Sequence, residues 1–323
     1  MTFVTLKHLV PGISLFILST LTVKSQVAEQ QYVPTHETIS LAEGIEIASI
    51  DKGYTIWLPE ASQPTGLIVF FHSRPDTSES DIFIRYATEN GLAVLYANTK
   101  NRLDFFFDDS SMQEVYGYIL SNIQKHRIPP GNIMFCGMSL EGTRALRMQI
   151  YINNTGTDDL SVKAIAVCDA PLDMKRFYHT CKKAAQLNFH PASANEGKWV
   201  SEYLASNLGG SPDSVPSAYT SYSPYTHDDV ESNTRDFLDV SIRAYTEPDV
   251  NWWMKNRGKD YYDMNSLDLA AFINHLNLMG NSDAELIVTS DKGYHPDGER
   301  HPHSWSIVDE KELIDWFNEL ISK

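Results

Sequence analysis

A serine stands where a predicted strand meets a predicted helix, in the run Gly137-Met138-Ser139. Residues 132–136 before it are mostly apolar and predict a buried strand, and residues 140–146 after it predict a helix. A sharp turn between them would strain the backbone of Ser139 and hold its hydroxyl clear of both elements, while the helix N-terminus offers N–H groups to an oxyanion. The pattern is typical of a nucleophile, although a serine that merely caps the helix has the same appearance.

A serine nucleophile needs a histidine base and an acid that orients the base. Two acids, Glu247 and Asp249, follow the strand predicted at residues 240–245. The loop after the last predicted strand carries three histidines, namely His295, His301 and His303. The chain therefore presents serine, acid and histidine in that order, each at the end of a strand.

The elements that must position these residues alternate along the chain. Apolar, β-rich runs predict strands at residues 54–59, 66–72, 92–97, 132–136, 164–168, 240–245 and 285–289. Amphipathic segments predict helices at residues 76–90, 108–128, 267–278 and 313–321, besides the helix after Ser139. This rhythm predicts an α/β fold with a doubly wound, mostly parallel sheet, in which sites form outside the carboxyl ends of the strands.

Two segments do not follow the alternation of strands and helices. Residues 171–236 are polar and too long for a simple connection, so we interpret them as an insertion over one face, with a helix at 198–208. Residues 1–25 read as a signal peptide cut before Gln26, because basic residues, a short apolar run and small residues follow one another. An uncleaved N-terminal anchor is the alternative. We expect a mobile leader at 26–40 and a secreted or periplasmic protein.

Composition excludes several classes of partner. The chain has 42 Asp and Glu against 26 Lys and Arg, a net charge of -16, which disfavours nucleic acid and anionic membrane surfaces. The three cysteines, Cys136, Cys168 and Cys181, are an odd number and give no disulfide framework. Cys136 and Cys168 are expected to be buried apolar residues, and a single bridge involving Cys181 stays open.

From about residue 45 to its C-terminus the chain resembles the α/β-hydrolase superfamily. The run Gly137-Met138-Ser139 matches the nucleophile elbow, Asp249 the acid after the penultimate strand, and His303 the histidine before the last helix. The resemblance implies Ser139 as the nucleophile, His303 as the general base and then acid, and Asp249 as the residue that holds the imidazole tautomer. It also implies that residues 171–236 form a lid or cap between the sixth and seventh strands.

The sequence departs from the superfamily pattern at two places. Two residues past the serine the superfamily favours a small side chain, and here stands Glu141, with the glycine displaced to Gly142. The loop after the third strand usually reads His-Gly, and here it reads His72-Ser73-Arg74-Pro75. The backbone N–H groups of Ser73 or Arg74, with that of Leu140, are implied as the oxyanion hole.

Each assignment has competitors. Glu247 could be the acid, and so could Asp169, because a minority of the superfamily places its acid after the sixth strand. His301 and His295 compete with His303 as the base. No carboxylate or cysteine at ligand spacing completes a metal set around these histidines, so neither a metal nor a cofactor is expected.

These features together predict a secreted serine hydrolase that cleaves a carboxylic ester or related acyl bond through an acyl-enzyme. Trp252 and Trp253 follow the acid and could line the pocket for a small-molecule or peptide substrate. A peptidase of the same fold is the alternative enzyme. A non-catalytic binding protein on a hydrolase scaffold is the alternative outside enzymes.

Overall fold

A computed structural model describes residues 27–60, 62–73, 78–231 and 233–323. The predicted signal peptide at 1–25 lies outside these residues. The strands are β1 (Val27–Val33), β2 (Thr38–Ala42), β3 (Ile45–Ala48), β4 (Lys52–Trp57), β5 (Gly66–Phe70), β6 (Leu92–Asn98), β7 (Ile133–Met138), β8 (Val162–Cys168), β9 (Ser241–Thr246) and β10 (Ala284–Val288). The helices are α1 (Ser78–Glu89), α2 (Asp109–His126), α3 (Leu140–Thr155), α4 (Met174–Leu187), α5 (Pro191–Leu208), α6 (Pro216–Tyr222), α7 (Val250–Arg257), α8 (Ser266–Leu278) and α9 (Glu310–Ile321).

Eight strands form one mixed sheet in the order β1-β4-β6-β5-β7-β8-β9-β10. Six neighbouring strands run parallel, namely β6, β5, β7, β8, β9 and β10. Strand β4 pairs with β6 in the antiparallel sense. The predicted doubly wound, mostly parallel sheet is therefore confirmed. Strands β2 and β3 form a separate antiparallel pair.

The central strands are buried on both faces because their side chains alternate between two apolar cores. Val69 and Phe135 pack in a core with residues of α2, α3 and α8, whereas Ile68 and Met134 pack in the core under α1 and α9. This two-sided burial explains why the strands read as continuous apolar runs in the sequence. It also fixes the carboxyl ends of β5, β7, β8 and β9 along one edge, where loops can meet.

The expectation of a mobile leader at residues 26–40 is wrong for the described part of that segment. Strand β1 pairs antiparallel with β4 at the edge of the sheet, and β2 pairs with β3. The sequence gives a weak signal there because an edge strand takes its order from backbone hydrogen bonds and can carry polar side chains such as those of Glu29, Gln30 and Gln31.

The insertion between β8 and β9 holds three helices, α4, α5 and α6, where one had been predicted. A buried ion pair fastens it to the main domain: Arg176 of α4 donates to both carboxylate oxygens of Asp268 on α8, at 2.6 and 2.7 Å. Asp268 is fully buried. In the described part of the chain no helix is both long and apolar enough to span a membrane.

Candidate active site

Ser139 is the single residue between the end of β7 and the start of α3. Its backbone angles are φ 53° and ψ -125°, a conformation that costs a non-glycine residue about 1–3 kcal/mol. Its N–H donates to the carbonyl of Cys168 on β8 at 2.8 Å, and its carbonyl accepts from Thr143 of α3 at 3.2 Å. The side chain makes no capping bond to α3, so Ser139 is not an ordinary N-cap serine.

Two glycines allow the strand and helix to cross this closely. A Cβ on Gly137 would lie 2.3 Å from the backbone carbon of Glu141, and a Cβ on Gly142 would lie 2.7 Å from Ala170 Cβ. The backbone of Glu141, and not its side chain, thus occupies the crossing, and Glu141 borders a separate cavity of about 710 Å³ beside α1. The departure from the superfamily pattern at Glu141 is compatible with the turn for this reason.

His303 is hydrogen-bonded to Asp169, with 2.6 Å between Nδ1 and Oδ2. Asp169 directly follows β8 and has a φ of 44°. Its N–H donates to Tyr245 at 2.9 Å, its carbonyl accepts from the Asn265 amide at 2.8 Å, and its Oδ1 accepts from the Thr246 hydroxyl at 3.3 Å. Two backbone contacts therefore hold Asp169 in place, and one side-chain contact orients its carboxylate toward the imidazole.

The environment of His303 raises its pKa above the ordinary value of 6.5. Burial lowers the pKa, but the hydrogen bond and the negative charge of Asp169, helped by the charge of Glu196, outweigh it. Because Asp169 accepts at Nδ1, the proton of the neutral ring belongs on that nitrogen. Nε2 is then left with a lone pair that can accept a proton from a hydroxyl.

The structure does not bring Asp249, the predicted acid, to His303. Asp249 caps α7 by accepting from the N–H of Trp252 at 3.0 Å, and it also accepts from Arg300 at 3.0 Å. The physical reason is that α7 begins directly at Val250, so the carboxylate satisfies a helix N-terminus. Of the three acids considered from the sequence, Asp169 is the one that contacts His303.

Glu247, the other competitor, is buried and fully engaged elsewhere. Its carboxylate accepts from the Thr289 hydroxyl at 2.8 Å and from the N–H groups of Lys292 and Gly293 at 3.0 and 3.2 Å. Arg300 approaches it to 2.5 Å. Burial raises the pKa of Glu247, but these bonds and the Arg300 charge bring it below the ordinary value. Glu247 therefore anchors the loop that carries the histidines.

The other two histidines lie beside His303 without contacting Asp169. The rings of His295 and His301 stack at 4.7 Å, and His301 Nδ1 bonds the carbonyl of His303 at 2.9 Å. Burial lowers the pKa of His301. Among the residues the structure describes, no group of three or more His, Cys, Asp or Glu side chains is arranged to hold a metal ion. All three cysteines are free and buried, so the bridge left open at Cys181 is not formed.

Ser139, Asp169 and His303 border one cavity of about 290 Å³. Helices α4 and α5 of the insertion supply part of its wall, and so does Trp253. Trp252, also predicted to line the pocket, is not among the residues that border this cavity and packs edge-to-face against Trp253, with 5.1 Å between their ring centroids. The insertion thus helps enclose the space above the serine.

The predicted oxyanion donors are only partly within the described residues. Leu140 is the first residue of α3, where an N–H group has no partner inside the helix. Ser73 is exposed, and its carbonyl bonds His72 Nδ1 at 2.7 Å. Arg74 lies outside the described residues.

Sequence reasoning missed several charged residues of this cavity. Glu196 comes from α5, Arg257 from the end of α7 and Lys259 from the turn after it. Each lies in a segment whose structure had not been predicted. No spacing in the sequence relates them to Ser139, because only the packing of the insertion against α7 brings them together.

Solved structures share this architecture at low sequence identity. Carboxyl esterase 2 from the mycorrhizal fungus Tuber melanosporum matches with a TM-score of 0.56 and 11% identity, over 94% of this chain and 89% of that one. An esterase from Pyrobaculum calidifontis matches with a TM-score of 0.53 and 12% identity, over 92% of this chain and 87% of that one. A puromycin-hydrolyzing peptidase from Mycobacterium tuberculosis matches with a TM-score of 0.54 and 15% identity, over 84% of this chain and 38% of the peptidase.

No protein-family model and no curated protein matches the chain. These structural neighbours are esterases and peptidases of the α/β-hydrolase fold, and each superposes on most of this chain. The chain therefore has the α/β-hydrolase fold.

Proposed function

We propose that the chain is a serine hydrolase with Ser139 as the nucleophile, His303 as the base and Asp169 as the acid that orients it. The observation that carries the proposal is the 2.6 Å bond between His303 and Asp169 at the cavity that Ser139 also borders. The strained backbone of Ser139 supports it, because such strain concentrates at functional sites.

In the proposed reaction, Ser139 Oγ attacks the carbonyl carbon of an ester and His303 Nε2 takes the hydroxyl proton. The Leu140 N–H at the start of α3 stabilises the oxyanion, together with an N–H from the loop after β5. His303 then gives the proton to the departing alcohol. Water attacks the acyl-enzyme by the same route, and the products are a carboxylic acid and free Ser139.

We propose ester hydrolysis as the reaction because an ester is easier to cleave than an amide. A peptidase acting under the insertion is the second candidate, and the Mycobacterium tuberculosis neighbour is described as a peptidase. We also propose that residues 171–236 act as a cap that selects the substrate, since α4 and α5 help wall the cavity.

Fluorophosphonate labelling of residues 26–323 tests the proposal, because this probe reacts with activated serines. Wild type should label, and Ser139→Ala and His303→Ala should not. His295→Ala is a matched control, because His295 belongs to the same loop but is exposed and does not contact Asp169. If folded wild type fails to label, the hydrolase proposal is refuted and a binding role on this scaffold becomes the better explanation.

Substrate preference is measured next on wild-type enzyme that has not been exposed to the probe. Hydrolysis rates of 4-nitrophenyl esters with increasing acyl length are compared with those of aminoacyl 4-nitroanilides. Faster turnover of esters supports the esterase, and turnover confined to the anilides supports the peptidase.

Secretion is a separate proposal. We propose that residues 1–25 direct export to the periplasm or medium, and that cleavage before Gln26 leaves strand β1 intact. N-terminal sequencing of the exported protein tests this, and retention of Met1 on the mature chain would contradict it.

A further inference from the structure

Two positively charged side chains border the Ser139 cavity without a carboxylate partner. Arg257 and Lys259 both line it, and neither forms an ion pair with a carboxylate of the described residues. The Arg257 guanidinium lies 5.1 Å from the ring centroid of Trp252, and the Lys259 ammonium lies 5.5 Å from that of Trp253. Lys259 is close enough to His303 for its charge to lower the pKa of that histidine.

Such a pair is unexpected in this chain, whose net charge is -16. Acids are abundant, and an unpaired cation that is half-buried loses part of its hydration without a compensating charge. Within the described residues, the Arg257 guanidinium makes two polar contacts, both through one nitrogen: to His190 at 3.4 Å and to the carbonyl of Asn256 at 3.2 Å. Most of its five N–H donors therefore remain for a ligand.

The acids of the same cavity do not cancel these charges. Asp169 is hydrogen-bonded to His303, and Asp263 is paired with Lys183 at 2.6 Å. Glu196 projects from an exposed position on α5 and forms no ion pair with a described residue. Of the charged groups without a partner, two are thus positive and one is negative.

Backbone geometry holds the two cations in place. Gly258 stands between them with a φ of 66°, and a Cβ there would lie 2.7 Å from the ring of Phe189, which belongs to the insertion. Glycine adopts this left-handed conformation without strain and leaves room for the Phe189 ring. Arg257 and Lys259 are thereby fixed at the contact between α7 and the insertion.

We infer that the substrate carries a carboxylate, bound by Arg257 and Lys259 while Ser139 attacks an ester elsewhere in the same molecule. The planar guanidinium fork matches a carboxylate, and the nearby ammonium adds a point charge. A cavity of about 290 Å³ has the volume of roughly ten water molecules, so the enclosed part of the substrate is small. This inference rests on the proposed hydrolase function.

Matched esters test the inference, with the carboxylate placed on either side of the scissile bond. The acyl pair is 4-nitrophenyl hydrogen adipate and 4-nitrophenyl heptanoate, and the alcohol pair is 4-carboxyphenyl acetate and phenyl acetate. In at least one pair the charged ester should have the higher kcat/KM. Arg257→Gln with Lys259→Gln should lower the charged-to-neutral ratio by roughly 10- to 100-fold, the range expected for hydrogen bonds to charged groups.

Two further measurements separate recognition from general charge effects. Lys255→Gln removes a cation from an exposed position of the same helix and should leave the ratio unchanged. Glu196→Gln should raise the ratio, because it removes the unpaired negative charge from the cavity. If wild type labels with fluorophosphonate but favours the charged ester in neither pair, the carboxylate inference is refuted and the hydrolase proposal stands. If wild type does not label, the hydrolase proposal itself fails.

Discussion

Replacing Asp169 by asparagine should abolish most of the activity while leaving the backbone in place. The Asp169 carboxylate accepts the proton that His303 carries on Nδ1, with 2.6 Å between the two atoms. An asparagine amide can instead donate to Nδ1, which places the ring proton on Nε2. That tautomer cannot accept a proton from Ser139. In a serine protease the corresponding change lowers kcat by about 10⁴-fold, and we expect a loss of the same order here.

Asp249→Asn is the matched control, because it makes the same chemical change at the acid predicted from the sequence. Asp249 caps α7 and contacts Arg300, so its replacement should cost at most about 1 kcal/mol of stability. The kcat for a 4-nitrophenyl ester should stay within a few-fold of wild type. Turnover and fluorophosphonate labelling rate are measured for both variants beside circular dichroism spectra.

The pH dependence gives an independent readout of the same pair. Activity requires neutral His303, whose pKa lies above 6.5, so the acidic limb of kcat/KM for wild type should have its midpoint above that value. Without Asp169, burial dominates and the midpoint of any residual activity should move to lower pH. The charged pair stabilises the fold below pH 6.5, and this stabilisation is lost as the pH rises through the raised pKa. Asp169→Asn should therefore lower the free energy of unfolding more at pH 5 than at pH 9.

The reasoning is refuted if Asp249→Asn inactivates the enzyme and Asp169→Asn does not. It also fails if both variants retain full activity, because His303 would then need no orienting acid. A folded Asp169→Asn variant with an unshifted acidic limb would show that the bond to His303 does not set the pKa.

Two further variants test how the site is held. Glu247→Gln leaves Arg300 without its buried partner and should cost about 3 kcal/mol of stability at neutral pH, seen as a fall in Tm of roughly 6–12 °C. Because folding lowers the pKa of Glu247, the stability difference from wild type should shrink as the pH falls below 4.5. A stability difference that grows in acid would contradict this role. Gly137→Ala places a Cβ 2.3 Å from the backbone of Glu141 and should abolish both labelling and stable folding. The control is Gly117→Ala, which lies in an open position of α2 and should raise stability by about 1 kcal/mol. Equal Tm values for the two variants would refute the argument from the strand–helix crossing.

The sequence was informative wherever local pattern decides structure. Helix α2 was predicted at residues 108–128 and is found at Asp109–His126, with Asp108 as its N-cap, because amphipathic spacing and a capping acid both act locally. The sharp turn at Ser139 was likewise predicted from the three residues Gly137-Met138-Ser139. Strand β1 was missed because its order comes from pairing with β4. Helix α4 was missed because its buried residues include the polar Arg176 and Thr180, and α7 was missed because it is short and has no buried residue.

The acid was harder to predict because two candidate positions lie on adjacent parallel strands. Cys168 of β8 pairs in register with Tyr245 of β9, so Asp169 and the two acids after β9 leave the sheet at the same edge. Position along the chain cannot distinguish them. Packing does, since Asn265 and Thr246 hold Asp169 toward His303, and neither contact has a sequence signature.

The loop before α9 explains physically which acid pairs with His303, because it carries Arg300 three residues before that histidine. Arg300 bridges Glu247 and Asp249 at the end of β9, at 2.5 and 3.0 Å. A carboxylate that already serves a guanidinium or a helix N-terminus has less capacity to orient an imidazole. His303 therefore pairs with the acid at the end of β8, where no side-chain cation within 4.0 Å competes among the described residues. In this chain Arg300 thus engages both acids after β9, and Asp169 is left as the acid that contacts His303.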